Sequence, residues 1–237
     1  MFIRPQILPT LFTVPALIVL VALGSWQFQR LYWKAELIEK LQDRIAKAPV
    51  ALPNEPENLE ALEFRRVVVT GEFLHEHEFY LVNRSLKGKA GLNIVTLLKR
   101  ADGGDHVLIN RGWVPFDQRA PKLRPNSQPK GVVTVEGLVR LAKGRGFFTP
   151  NNEPHNNTWF YLDPNGMSAA AGTSPLQSYY ILAANKADGG LPVGHQWRFD
   201  VRNDHLQYAI TWFALALGLL AIYLLYHRQR SGNSKTE

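Results

Sequence analysis

The sequence predicts a membrane protein in which two transmembrane helices flank a mainly antiparallel β domain, barrel- or sandwich-like, outside the membrane. Three observations predict it. From Leu206 to Tyr226 no residue carries a formal charge, and at the helical rise that length crosses a hydrocarbon core of about 30 Å. From Ile7 to Gly24 the chain is again apolar, interrupted only by Pro9, Thr10, Thr13 and Pro15. Between these stretches, from Phe64 onward, short β-branched and aromatic runs alternate with glycine-containing turns, the pattern of strands. The expected organisation is a tail at 1–6, a first span at 7–28 and an amphipathic helix continuing from it at 29–49. A β-rich domain follows at 50–204, then a second span at 205–226 and a tail at 227–237.

A cleaved signal peptide is the competing reading of the first span. Its apolar stretch is longer than a usual signal core, and no small-residue cleavage site precedes the helix-favouring run at Trp26, so an uncleaved anchor is expected. Beyond it Leu31, Ile38, Leu41 and Ile45 recur at helical spacings, and Glu36 stands one turn before Lys40, until Pro49 and Pro53 stop the helix. Its apolar stripe reads as core contact or as a partner-binding face. Two spans put both termini on one side. The basic tails, with Arg4, Arg228, Arg230 and Lys235, suit the cytoplasm or matrix, although Arg30, Lys34, Arg198 and Arg202 crowd the opposite ends. Long loops cross largely regardless of charge. The domain is therefore expected on the periplasmic or intermembrane side of a bacterial plasma membrane or mitochondrial inner membrane.

Within the domain the runs RRVVVTGEF, HEFYLVNRS, LNIVTLLKR, HVLINRGWVP, VVTVEGLVRL, NTWFYLD and SYYILAA read as strands. Asp102, Gly103 and Gly104 signal a hairpin between two of them. One short helix is expected around Gly166 to Ala171, and Asn54 to Leu62 reads as an acidic linker. There is no cysteine, hence no disulfide, thiolate metal site or cysteine nucleophile. The net charge is +7, but the basic residues are dispersed and no basic run interleaved with aromatics marks a nucleic-acid surface. Membrane lipid or an anionic cofactor is the more economical partner. Nucleophile-elbow, phosphate-loop, dinucleotide and zinc-protease motifs are lacking, so an enzyme is not expected.

Several residues could carry chemistry. His205, beside Asp204 and ahead of the interfacial rings of Tyr208 and Trp212, is either an interfacial cap or a ligand for haem or a metal. If the two anchors pack, helped by small residues such as Ala16, Ala214 and Gly218, then Arg30, Lys34, Arg198 and Arg202 form a cationic collar for lipid headgroups or haem propionates. In the string Asn110 to Pro115, Arg111 could clamp a carboxylate or stack on Trp113, with Gly112 allowing a bend. Equally, the string could end a strand at a bulge with the tryptophan in the core. His75 and His77 would share one face of a strand and could grip copper or zinc, or simply be solvated turn histidines. The loop before Trp159, with Glu153 and His155, offers at most a weak metal site and otherwise reads as successive turns.

Five of these strings stand together in one known family. GSWQFQRLYWK at 24–34, TGEF at 70–73, VLINRGWVP at 107–115, PNNEP at 150–154 leading to Trp159, and NDHLQYAITW at 203–212 resemble the Surfeit locus protein 1 family, in the same order and over nearly the whole chain. The resemblance implies a membrane assembly factor for haem–copper cytochrome c oxidase, with the catalytic subunit of the oxidase and haem a synthase as partners and haem a as a transiently bound cofactor. It implies that His205 ligates the haem iron; by position and charge Arg202 and Arg198 are then expected toward the propionates, and Trp212 is expected as a further cofactor-binding residue. The alternative is a non-catalytic scaffold that holds the oxidase subunit during metal loading without binding haem. Arg111, Gly112, Trp113 and Trp159 are then expected as partner contacts. One departure is the segment GLNIVTL at 91–97, where many members carry Gly-Tyr-His followed by a threonine-proline pair.

Overall fold

Helix α1 runs without a break from Ile7 to Ala46, with Pro15 inside it: an uncharged, mostly apolar stretch to Gln29 continues into a charged, helix-favouring one from Arg30. The chain ends in a second long helix, called α4 in chain order, His205–Asn233. The structure, a computed structural model, describes residues 6–184, 190–195, 197 and 203–233. It falls into two units, residues 1–40 with 199–237 and residues 41–198.

In the first unit both helices are long and apolar enough to cross a membrane, and they pack antiparallel. On α1 the inward stripe runs through Thr10, Thr13, Leu17, Leu20, Gly24, Gln27 and Leu31, each less exposed than its neighbours on the outer face. On α4 it starts at His205 and passes through Ala209, Trp212 and Ala216 to Tyr223 and His227. This alternation of three and four residues keeps one seam of a helix against its partner. Gly24 is the tight point: a Cβ there would lie 2.8 Å from the Phe213 ring. The small residues expected at the seam on this helix, Ala214 and Gly218, are exposed instead, and a Cβ on Gly218 would meet nothing within 4 Å. They stand off the stripe that His205 begins, and the buried alanines are Ala209 and Ala216. Beyond the span, Glu36 and Lys40 pair at 2.6 Å, an exposed contact of the kind that contributes only a few tenths of a kcal/mol.

The second unit holds strands β1 (Val50–Ala51), β2 (Arg66–Leu86), β3 (Lys89–Arg100), β4 (Val107–Pro115), β5 (Val132–Leu141), β6 (Thr158–Trp159) and β7 (Tyr179–Ala183). The pairings β2–β3, β3–β4, β4–β7, β7–β5 and β5–β2 return to their starting strand, so the sheet closes as a barrel. Pairing is antiparallel except for β4 with β7 and for the short β1 and β6 against β2. The core includes Val67, Val69, Leu98, Ile109, Val139 and Ile181. Strand β2 serves both neighbours because it is long: its first half pairs β5 and its second half continues along β3. It absorbs two of the expected strand runs in one element, and the His75 to His77 segment falls where its register shifts between Leu74 and Glu78.

Two helices are short. Helix α3, Pro164–Ala171, begins with proline after an Asp163 cap that accepts the Gly166 N–H at 3.0 Å, and ends at Gly172 with φ 64°. These are the residue types that start and stop helices. In the expected linker a single turn, α2, forms at Leu59–Leu62 because Asn58 accepts the Ala61 N–H at 3.1 Å; one turn is too short to show a period.

Candidate functional site

The polar residues of the first unit lie at the two ends of its apolar seam. At one end Gln27 and Leu31 stand one helical turn apart on α1, facing the start of α4. His205 Nδ1 lies 2.7 Å from Gln27 Oε1. A carboxamide oxygen can only accept, so Nδ1 is the donor, and in the neutral ring the lone pair is on Nε2. Among the described residues Nε2 has no hydrogen-bond partner. Asn203 donates to the Leu31 carbonyl at 3.4 Å, and its own Oδ1 is buried without a partner. Trp212 follows His205 by two turns on the same face. Arg198 and Arg202, expected beside the histidine, lie outside the described residues. A histidine whose distal nitrogen is oriented by a hydrogen bond is the arrangement in which imidazole serves as a metal or haem ligand. Gln27 was within reach of sequence reasoning as a polar residue at the end of an apolar span, but its pairing across 178 positions leaves no local trace.

In the barrel a second group of charged residues is buried. The register shift between Ile94 and Val95 leaves Arg111 as the extra residue of β4, a bulge that turns its side chain inward. Its guanidinium lies 4.7 Å over the Phe73 ring and 4.0 Å from the Glu78 carboxylate, and donates to the Ser127 carbonyl. Arg124 donates to the same Glu78 carboxylate and to Ser127 Oγ. Burial pushes Arg111 down to about 10, against the attraction of Glu78 and with a smaller push from Arg124; it stays charged at neutral pH. Two arginines around one buried carboxylate hold β2, β4 and the 116–128 connection together. Removing the carboxylate would leave uncompensated charge, a strongly destabilising change.

The partner-contact residues read from the sequence belong to this interior. Trp159 is 0% exposed, set edge-on to Phe79 at 5.5 Å, with its indole N–H on Asn157 Oδ1 at 3.1 Å. Trp113 is buried and exchanges backbone hydrogen bonds with Val193. Gly112, at φ 125°, has the Val193 carbonyl where a Cβ would stand. Side chains this deeply buried offer little for a partner to grip in this conformation, and of the two sequence readings of the string the bulge with a core tryptophan describes its geometry. Arg111 does meet a carboxylate, but one of its own chain. His75 and His77 lie on strand β2 rather than in a turn; His75 Nε2–H donates to the Pro129 carbonyl at 2.9 Å. No group of three or more potential metal ligands occurs among the described residues.

Two helices long and apolar enough to cross a membrane, a closed barrel between them in sequence, and a histidine held by Gln27 at one end of the helix seam are the features that characterise the chain. Comparison with known proteins makes this specific. The model of the SURF1 family matches residues 14–217. The chain is 36% identical to a SURF1-like protein of Monosiga brevicollis over 94% of its own length and 88% of that protein's. It is 37% identical to Surfeit locus protein 1 of Homo sapiens over 82% of this chain and 69% of the human one, and 36% identical to the Rattus norvegicus protein over 81% and 67%. The chain belongs to the SURF1 family, whose members are known as cytochrome oxidase assembly factors.

Proposed function

We propose that the chain binds haem a at the His205 end of the helix seam and aids its insertion into the catalytic subunit of cytochrome c oxidase, with haem a synthase as the source. The observation that carries the reading is the pair Gln27 and His205: the 2.7 Å contact to Nδ1 leaves Nε2 as a ready nitrogen ligand at the boundary of an apolar helix pair. These residues fit a haem held by one axial histidine. When bound, haem a would supply an iron centre that takes nitrogen ligands. His205 would hold that iron, Gln27 orients the imidazole, and Trp212 on the same stripe offers an aromatic face. Arg202 and Arg198 are proposed for the propionates on charge alone. A single protein ligand suits transient binding, because an acceptor's own histidine can compete for the cofactor. Only an iron–nitrogen coordination bond would be made and broken in this role, so the chain is proposed as a carrier and not as an enzyme. The barrel domain is proposed on the periplasmic or intermembrane side.

The test is the haem a content of the oxidase's catalytic subunit isolated from membranes with and without this chain. The expected result is a subunit poor in haem a when the chain is missing, restored by the wild type and not by His205→Ala. A fully haem-loaded subunit that has lost its partner subunits would overturn the carrier reading and leave a scaffold.

A further inference from the structure

Between β5 and β7 the chain makes an excursion across one face of the barrel, and under its first part lies a cavity of about 470 Å³. Arg84 of β2, Arg140 near the end of β5 and Lys143 line it, together with Tyr161, Tyr180 and the amide of Asn93. Asn93 is only 6% exposed, and its Oδ1 has no hydrogen-bond partner; nor has the buried Nε of Arg140. One carboxylate faces the basic groups, Glu63, with Oε1 3.6 Å from Arg140 Nε and 3.9 Å from Lys143 Nζ. Arg84, Arg140 and Lys143 against the single carboxylate of Glu63, which is ion-paired to the latter two, leave the cavity positive and suited to an anionic oxygen. The unused amide oxygen of Asn93 asks for a hydroxyl.

The rim of this cavity is also the base of an exposed turn. Lys143, Gly144 and Thr149 line the cavity, and between them Phe147 and Phe148 are 89% and 94% exposed, their rings edge to face at 4.9 Å. The turn is built. Arg145 donates through Nε to the Thr149 carbonyl at 2.8 Å and through Nη1 to Asn151 Oδ1 at 3.0 Å, and the Thr149 N–H meets the Gly146 carbonyl at 3.0 Å. Two large rings held in water by an ordered turn, with cations beside them, have the composition of segments that enter a lipid interface. The same chain supplies the occasion, since a helix able to cross a membrane lies on either side of the domain in sequence.

We propose that the 143–149 turn is a lipid-binding element for an anionic phospholipid: Phe147 and Phe148 enter the acyl region, Arg84, Arg140 and Lys143 hold the headgroup phosphate, and Asn93 accepts a headgroup hydroxyl. The acceptor amide points to phosphatidylglycerol as the probe. It is a site separate from His205, and it stands whether or not the chain carries haem.

The absence of cysteine makes the experiment clean. Phe148→Cys in the full chain gives a single attachment point for an environment-sensitive fluorophore, read in vesicles of phosphatidylcholine alone or mixed with phosphatidylglycerol, each with and without brominated acyl chains. The expected result is a blue-shifted emission quenched by bromine, severalfold more strongly when phosphatidylglycerol is present. That increment is lost in Lys143→Gln and in Arg84→Gln, both with unchanged thermal unfolding. A label at the exposed Lys130→Cys stays unquenched. A label at 148 that emits as in water, or that is quenched no more than one at 130, would overturn the membrane contact. Quenching indifferent to phosphatidylglycerol and to both substitutions would overturn the headgroup site.

Discussion

Two histidines sit on α4 at opposite ends of its apolar length, 22 residues apart by number (227 minus 205), about 33 Å at the helical rise. Their surroundings differ in one respect that decides what each can do. His227 is 2% exposed; its Nδ1–H donates to the Tyr223 carbonyl at 2.8 Å and its Nε2 accepts the Gln6 N–H at 3.1 Å. Both nitrogens are consumed by the protein, and the imidazole satisfies one of the amides that the start of α1 leaves without a helical acceptor. His205 has the same proton position, Nδ1–H toward Gln27 Oε1, but no partner on Nε2 among the described residues. The same side chain, in the same tautomer, closes the seam at one end and offers a ligand at the other. Burial alone does not say which ring has a nitrogen to offer; the accounting of donors and acceptors separates them.

The comparison can be broken most directly at its ligand. His205→Ala is expected to lower haem retention by about 100-fold or more, beyond the usual loss for a supporting residue, while His227→Ala keeps the haem; bound haem per chain after purification checks both. Gln27→Leu keeps the ligand and removes its orientation, and should weaken haem binding by roughly 10- to 100-fold with little change in helix-pair stability. His227→Ala removes the acceptor of the Gln6 N–H and the ring packed on Tyr223, and is expected to destabilise the helix pair by about 1–3 kcal/mol, measured as a shift in detergent-denaturation midpoint. The smallest effect belongs to Thr10→Val. Thr10 Oγ1 already donates to the Gln6 carbonyl at 2.6 Å, so the Tyr223 hydroxyl at 2.7 Å must be the donor in their contact. Its loss should cost about 0.5–1.5 kcal/mol in the same assay and leave haem binding untouched.

What could be read from the sequence follows the range of the interactions that make it. The two apolar helices, the hairpin at Asp102 to Gly104 and the helix after Asp163 are local in origin and were legible as period, turn chemistry and caps. His205 was legible as a ligand-type residue at an interface, but which of its nitrogens is available depends on Gln27, far away in the chain. The charged interior of the barrel was legible only in half. Arg111 could be seen to need a carboxylate, yet Glu78 stands among Glu76 and His77 as if in a solvated loop, and Arg124 had no distinguishing neighbours. Only the bulges in β2 and β4 bring the three together. The tryptophans show the converse error: Trp113 and Trp159 carry the composition of contact anchors, but the barrel wall and the excursion over it bury them. The most exposed rings of the barrel unit among the described residues are Phe147 and Phe148, at the start of a segment that the sequence reads only as successive turns.

The measurement that reaches the central claim is the visible spectrum of the chain purified from membranes that make haem a, with wild type, His205→Ala and His227→Ala side by side. A Soret band is expected in the wild type and in His227→Ala, and its loss or shift in His205→Ala. A band unchanged in His205→Ala, or haem in none of the three while oxidase assembly still depends on the chain, would contradict it and return His205 to the role of an interfacial cap.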